Sequence, residues 1–284
     1  MLIMVDLHTH STASDGSYSP TELVALAKNR GLSVLALTDH DTVMGLEEAE
    51  KAAKKAGIGF IPGIELDINS ISGEFHLLGL GIDRLNPAFR DGVAALAGRR
   101  VERNLEILKR MEELNIKAAY EEIQALSGGY SVGRPHFASL LVKRRIVKNL
   151  EQAFSRYLGK GKPLYVPKEG MEFDHALSII KEAGGLAILA HPMSLYMAWG
   201  RLPGFIKNLK ERGLQGIEAW HPAAKVTDCR RLEDLGLSLG LYITAGSDFH
   251  GEVRRDRQLG ITAGNRKINR SLLDAIPELA LNLT

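Results

Sequence analysis

The sequence predicts an α/β protein, a closed barrel of seven strands with an inserted helical subdomain. Three observations lead there. Seven short apolar runs, at residues 2–7, 33–38, 59–64, 74–81, 186–190, 215–220 and 241–246, alternate with helical patterns. Each run carries His, Asp or Glu near its end, the side of a parallel barrel where sites are built. The alternation stops between residues 87 and 169, where helices are expected near 88–115, 119–127, 134–145 and 148–158 and no strand is read. The barrel domain is therefore expected over 1–86 and 170–284, and the insertion over 87–169. An open doubly wound sheet is the alternative.

The elements follow from local chemistry. SVLALT, GLAILAH and LYITAG are almost continuously apolar, as strands covered on both faces of a parallel sheet must be. Ser19-Pro20-Thr21-Glu22 is a helix start, with Ser19 as N-cap, Pro20 at the first position and Glu22 closing a capping box. Gly31, Gly57 and Gly213 stop helices ahead of the next strand. The insertion ends in a loop rich in Gly, Lys and Pro, GKGKPLYVPKEG.

Composition narrows the class. Hydrophobic residues at 45% and charged residues at 25% are those of a globular chain. No apolar run reaches 18 residues and no secretory leader is read, so neither a membrane span nor export is expected. A single cysteine, Cys229 in a charged helical stretch, excludes a disulfide framework and fits a reducing cytoplasm. The net charge of +2 is unevenly spread. Residues 99–168 hold 15 Lys/Arg and 7 Asp/Glu, a net of +8, which leaves 2 − 8 = −6 for the rest. A basic segment on an acidic body suits an anionic ligand held against a cation-binding site.

The strand ends supply that site. His8 and His10 stand two apart after the first run, on one face, with Asp15 in the following loop. His40, Glu65, His76, His191, and the pair Asp248 and His250 come from the others. A lone buried histidine is ordinarily structural, but a cluster of carboxylates and imidazoles is costly unless cations neutralise it. Nine candidate ligands suggest two or three divalent ions with a bridging carboxylate, and imidazole with carboxylate suits Mn, Zn or Fe.

"DLHTHSTASDG", "ALTDHDT", "PGIELD", "EFHLLG", "AHP" and "GSDFH" resemble the metal-binding motifs of the PHP (polymerase and histidinol phosphatase) family. The resemblance implies a distorted seven-stranded barrel, a multinuclear metal site and hydrolysis of phosphoesters. Carried over by motif, His8, His10, Glu65 and Asp248 hold a first metal. Glu65 bridges to a second, completed by His76 and His191. Asp15, His40 and His250 hold a third. The insertion with "GRPHFA" resembles a stand-alone subgroup that removes the 3′-phosphate from nucleoside 3′,5′-bisphosphates, some members also trimming short RNA or DNA from the 5′ end.

No Gly-x-Ser-x-Gly elbow and no Cys/His pair is read, so a covalent protein nucleophile is disfavoured. The expected nucleophile is a hydroxide held through the metals by Glu65, Asp248 and His191. Arg134 and His136, in Gly133-Arg134-Pro135-His136, are expected to grip phosphate at a helix start. His221, ending the sixth run, is the third substrate-binding candidate. Asp39 and Asp41 are candidates for orienting an imidazole or are simple turn residues, and Asp6 is a candidate for orienting a ring or for a structural role. The expected partner is a small phosphorylated substrate, a nucleotide or short oligonucleotide, with no membrane and no obligate protein partner. Two alternatives stand beside this: a histidinol-phosphate phosphatase, which needs less positive charge, and a non-enzymatic metal-binding module.

Overall fold

The structure, a computed structural model, describes residues 3–70, 73–127 and 132–280. The chain forms two compact units, Met1–Val93 with Gly170–Thr284, and Ala94–Glu169. Leu2, at the start of the first expected strand, lies outside the described residues.

The first unit is built on a seven-stranded sheet of β1 (Met4–Asp6), β2 (Leu32–Leu37), β3 (Gly59–Ile68), β4 (Phe75–Leu80), β5 (Leu186–Leu189), β6 (Gly216–Trp220) and β7 (Tyr242–Ala245). Spatial order follows chain order. Beyond the ends of β1 and β7 the backbone joins the two edges: Asp248 N–H donates to His8 O at 2.9 Å and His10 N–H to Phe249 O at 2.9 Å.

The strands do not all run one way, as the apolar runs had suggested. β4 is antiparallel to both β3 and β5, while the other neighbouring pairs are parallel. The link between β3 and β4, residues 69–74, is too short for a crossover helix, so the chain must turn straight back. β3 also runs to Ile68, past the expected end at 64. These two departures act together. His76 sits at the start of β4, not at its end, and the reversal registers it opposite Asp67, late in β3.

Helices cover the sheet. α1 (Pro20–Asn29) has the capping box its sequence implies: Glu22 N–H donates to Ser19 Oγ at 3.3 Å and Ser19 N–H to Glu22 Oε2 at 2.8 Å. Its Leu23, Val24 and Ala27 pack with Leu35 and Leu37 of β2 and with Ala49 and Ala53 of α2 (Leu46–Ala56). Each fully buried leucine or valine among these contributes about 1.5–3 kcal/mol. α2 stops at Gly57, whose φ of +66° is a conformation that glycine adopts without strain.

The second unit takes in most of α3 (Pro87–Glu113), then α4 (Tyr120–Leu126), α5 (Arg134–Lys143) and α6 (Leu150–Ala153), which continues as a π-helical turn over Phe154–Leu158. Ile107, Met111, Ile123, Phe137, Leu141 and Leu158 form its own apolar core. No strand occurs among its described residues. The chain then returns to the first unit through α7 (Phe173–Glu182), α8 (Leu202–Glu211) and α9 (Val226–Ser238).

Candidate metal centre

The centre forms where β1 ends. His8 and His10 project to the same side, and their Nε2 atoms stand 3.0 Å apart. Each is 3.2 Å from Glu65 Oε2, and Asp248 Oδ1 is 3.6 Å from the first and 3.3 Å from the second. His40 Nδ1 reaches the same Glu65 oxygen at 3.1 Å. The other oxygen, Oε1, lies 2.9 Å from both His76 Nδ1 and His191 Nε2. On the far side of His10, Asp15 Oδ1 is 3.2 Å from His250 Nε2. His8, His10 and Glu65 are at most 1% exposed.

The backbone at these positions is held off its usual conformations. His191 and Asp248 have φ of +26° and +51°, and Asp41 has +52°. Non-glycine residues held there cost about 1–3 kcal/mol each, a strain that collects at functional sites. Gly246 is where β7 passes β1: a Cβ there would collide with His8 Cβ and come within 2.5 Å of Glu218 Oε1.

Hydrogen bonds on the outer side of the rings fix where the lone pairs point. Glu218 Oε1 takes the His8 Nδ1 proton at 3.0 Å. The Ser194 hydroxyl donates to Glu74 O, so at 2.8 Å it can only accept from His191 Nδ1. The Asp248 carbonyl takes the His250 Nδ1 proton at 2.8 Å. In each neutral ring Nε2 is then an unprotonated nitrogen aimed at a carboxylate oxygen. Lone pair facing lone pair at about 3 Å is repulsive unless a proton or a cation lies between. Outer-side donation of this kind is the usual arrangement of metal-bound imidazoles.

The polar accounting agrees. Glu65 Oε2, His10 Nδ1 and His40 Nδ1 are buried yet have no hydrogen-bond partner. Two nitrogens bound to one ion at 2.0–2.1 Å stand about 3.3 Å apart, close to the His8–His10 separation. These residues therefore fit divalent cations. Among the described residues four groups converge closely enough to hold one: His8, His10, Glu65 and Asp248; Glu65, His76 and His191; His10, Asp15, His40 and His250; and His40, Asp67 and His76.

Without a cation, protons do the neutralising. Burial pulls the His10 ring toward lower pKa, but the facing carboxylates of Asp248 and Glu65 outweigh it and push the ring up to about 10. Burial likewise opposes His76, and Glu65 overrides it to about 9. Burial raises the Glu65 carboxyl, yet His40, His8 and His76 hold it well below the carboxylate range.

The residues around this cluster hold it in place. His221 accepts the Ala223 N–H at Nδ1, 3.2 Å, so its Nε2 carries the proton and donates to Asp248 Oδ2 at 3.1 Å. It steadies Asp248. Asp39 ties down the loop after β1, accepting from Ser11 N–H, Ser11 Oγ and Ser14 Oγ. Asp41 Oδ1 accepts the Asp67 N–H at 3.0 Å. Asp6 accepts from Ser247 N–H, Ser247 Oγ and Gly260 N–H, and burial pushes its carboxyl up to about 6. Three contributors escaped the motif reading. Glu218, fully buried, holds His8 and also takes the His191 N–H at 2.8 Å. Asp67 Oδ1 lies 2.8 Å from His76 Nε2. Arg257 lies beside Asp248. The signal for Glu218 was in the sequence, three residues before His221 and inside β6.

Arg134 and His136 belong to the second unit. They open α5, where His136 Nδ1 accepts the Gly133 N–H at 2.9 Å and Arg134 lies over the Phe154 ring. Burial, followed by the charges of Arg134 and Arg100, lowers Arg103 to about 10. The Gly-x-Ser-x-Gly spacing does occur, at Gly129-Tyr130-Ser131-Val132-Gly133, but in the chain it comes after the helix α4 and not after the strand that such a motif requires. Residues 128–131 lie outside the described residues.

Comparison with known proteins gives a family and close relatives. Residues 6–162 match the model of the PHP domain. A 5′-3′ exoribonuclease of Haemophilus influenzae is 39% identical over 86% of this chain and 89% of its own length. A 3′,5′-nucleoside bisphosphate phosphatase of Chromobacterium violaceum is 34% identical over 91% of both. A solved structure from that organism, an amidohydrolase with bound SO4 and no metal, superposes with a TM-score of 0.86 at 32% identity, covering 99% of this chain and 97% of the other.

Proposed function

This chain belongs to the PHP domain family, and on that premise we propose that its reaction is removal of the 3′-phosphate from nucleoside 3′,5′-bisphosphates, yielding nucleoside 5′-monophosphates. It is a metal-dependent phosphoesterase, a hydrolase. The substrate is inferred from the relatives, of which one acts on nucleoside bisphosphates and another is a 5′-3′ exoribonuclease. Trimming of short oligonucleotides from the 5′ end is the second activity proposed.

One observation carries the chemistry: the imidazoles of His8, His191 and His250, whose outer nitrogens are committed, aim their inner lone pairs at the oxygens of Glu65, Asp248 and Asp15. We assign His8, His10, Glu65 and Asp248 to one ion, Glu65, His76 and His191 to a second, and Asp15, His40 and His250 to a third. Mn, Zn and Fe are the ions proposed. When bound, such ions supply positive charge to phosphoryl oxygens and acidify water at neutral pH. The protein's part is positioning. Glu218 and Ser194 keep His8 and His191 in the tautomer that faces inward. His221 holds one Asp248 oxygen, which leaves the other directed at His8 and His10. Burial of Glu65 keeps bulk water from screening the attraction.

Arg134, His136 and His221 are proposed to bind substrate. Arg134 stands at the N-terminus of α5, where an anion is favoured, and after burial its charge adds to what lowers Arg103, which is the support for that assignment. The test is phosphate release by Mn-loaded protein from adenosine 3′,5′-bisphosphate, beside AMP, histidinol phosphate and a 5′-phosphorylated RNA. Preferential release from the bisphosphate, leaving 5′-AMP, is expected. Turnover of histidinol phosphate with silence on the bisphosphate would sink the substrate assignment and leave the metal chemistry standing.

A further inference from the structure

A cleft of about 270 Å³ opens beside the candidate ligands, lined by His191, Asp248, Tyr196, Arg254 and Arg257 among others. Arg257 has no place in the reading above. Its side chain is 3% exposed. A guanidinium carries five N–H donors and, when buried, needs acceptors for them. Those within reach serve it poorly. Nη2 stands 3.8 Å from Asp248 Oδ2, beyond hydrogen-bond length. Nη1 stands 3.4 Å from His221 Nε2, but that nitrogen carries a proton already donated to Asp248, so two donors face each other. Nε is 3.3 Å from Asp256 Oδ2 without forming a hydrogen bond. Arg254 in the same cleft differs, since its Nε and Nη2 both donate to Asp256 at 3.2 and 3.3 Å.

The buried cation is therefore balanced in charge by Asp248 but left short of acceptors, at the wall of a cleft that also exposes His191 and Asp248. A tetrahedral oxyanion entering there brings the missing acceptors, and the planar fork of arginine suits two of its oxygens. We propose that Arg257 is a catalytic residue that binds the non-bridging oxygens of the scissile phosphoryl group in this cleft. The inference rests on the phosphoesterase reading. It separates Arg257 from Arg134 and His136, which are assigned to substrate binding in the second unit. A purely structural arginine would instead buttress Asp248 and, through it, the ions.

The test compares wild type with Arg257→Lys and Arg257→Ala, all Mn-loaded. It reads turnover of adenosine 3′,5′-bisphosphate, binding of inorganic phosphate by titration calorimetry, bound metal by elemental analysis, and rescue by added guanidinium. Loss of one such contact to developing charge costs about 10²–10³-fold in rate. Arg257→Ala is expected to lose that much in kcat/KM, to bind phosphate at least tenfold more weakly, to keep its full metal content and to regain turnover with guanidinium. Arg257→Lys, which keeps the charge without the fork, should fall between, and it carries the test if the alanine variant does not fold. Unchanged kcat/KM and phosphate binding at full metal content would overturn the proposal. So would a loss of activity that only tracks a loss of metal. If wild type turns over no phosphoester yet its phosphate binding still depends on Arg257, the phosphoesterase reading fails while the arginine contact stands.

Discussion

At the centre of the first unit the deeply buried side chains include His8, His10, Glu65 and Glu218, whereas the centre of the second holds Ile107, Met111, Phe137 and Leu141. The hydrocarbon centre stabilises its unit unaided, because removing apolar surface from water is favourable without any ligand. A centre of imidazoles and carboxylates loses hydration on folding and recovers it only through partners. The first unit must draw its stability from the apolar shell outside that centre, where α1 and α2 pack on β2, and from whatever cation neutralises the interior. Function is thus placed where folding gains least from it, and the insertion adds a second core that does not depend on the ions.

The sharpest way to break this contrast is to remove the cations. Chelation should abolish hydrolysis and lower hydrogen-exchange protection in the first unit, with the core around Phe137 unchanged; hydrolysis that persists in metal-free protein would end the argument. The metal-free protein should also respond to pH in a definite sense. His10 and His76, raised to about 10 and 9, bind protons more tightly when folded than when unfolded. Their contribution is complete below about pH 6.5 and is lost as pH rises through 9 to 10, so denaturant midpoints should fall over that window. Added Mn should flatten the profile.

Single substitutions come next. Asp248→Asn or His10→Ala should reduce phosphate release to background while circular dichroism stays that of the native fold. In the second unit, Phe137→Ala opens a cavity in a packed core and should cost about 3–5 kcal/mol by denaturant unfolding. Metal content per folded molecule should not change, and a parallel loss of ions would mean that the two centres are coupled. Glu218→Gln keeps the shape of the group that orients His8 but weakens its acceptor, and ion affinity should fall about 10–100-fold in a competition titration. Ser19→Ala removes the N-cap of α1 far from either centre and should lower stability by about 1 kcal/mol without touching turnover.

Much of this was legible in the chain. Strand positions followed from apolar runs, the start of α1 from Ser19 and Glu22, and the candidate ligands from the habit of every run but the fourth to finish near His, Asp or Glu. Strand direction was not, because the pattern of a buried strand is the same either way. The length of residues 69–74 held the answer, being too short for a crossover. Glu218 was missed because a carboxylate inside a strand reads as an interruption until its neighbour across the sheet is known. Asp39 was read either as a partner for a ring or as a turn residue, and the fold shows it tying backbone and hydroxyls of the loop after β1. Arg257 sits in GEVRRDRQ, which looks like a solvated charge run, and only burial in the fold distinguishes it from Arg255.

The backbone bonds between His8 and Asp248, and between His10 and Phe249, have a consequence for how the protein comes into being. A ribosome makes the two β1 histidines some 240 residues before it makes their partners. Throughout that interval a nascent chain carries half a chelating pocket and nothing to close it. The insertion, in contrast, has its whole core between residues 107 and 164 and can settle while the barrel is still unfinished. A chain cut short before Gly246 keeps most of its mass and most of its helices, and it keeps Glu65, His76 and His191, but it lacks Asp248 and His250. Completion of the two ligand groups that share His10 is therefore a late event in biosynthesis, and a fully loaded molecule is one whose two distant segments have already met.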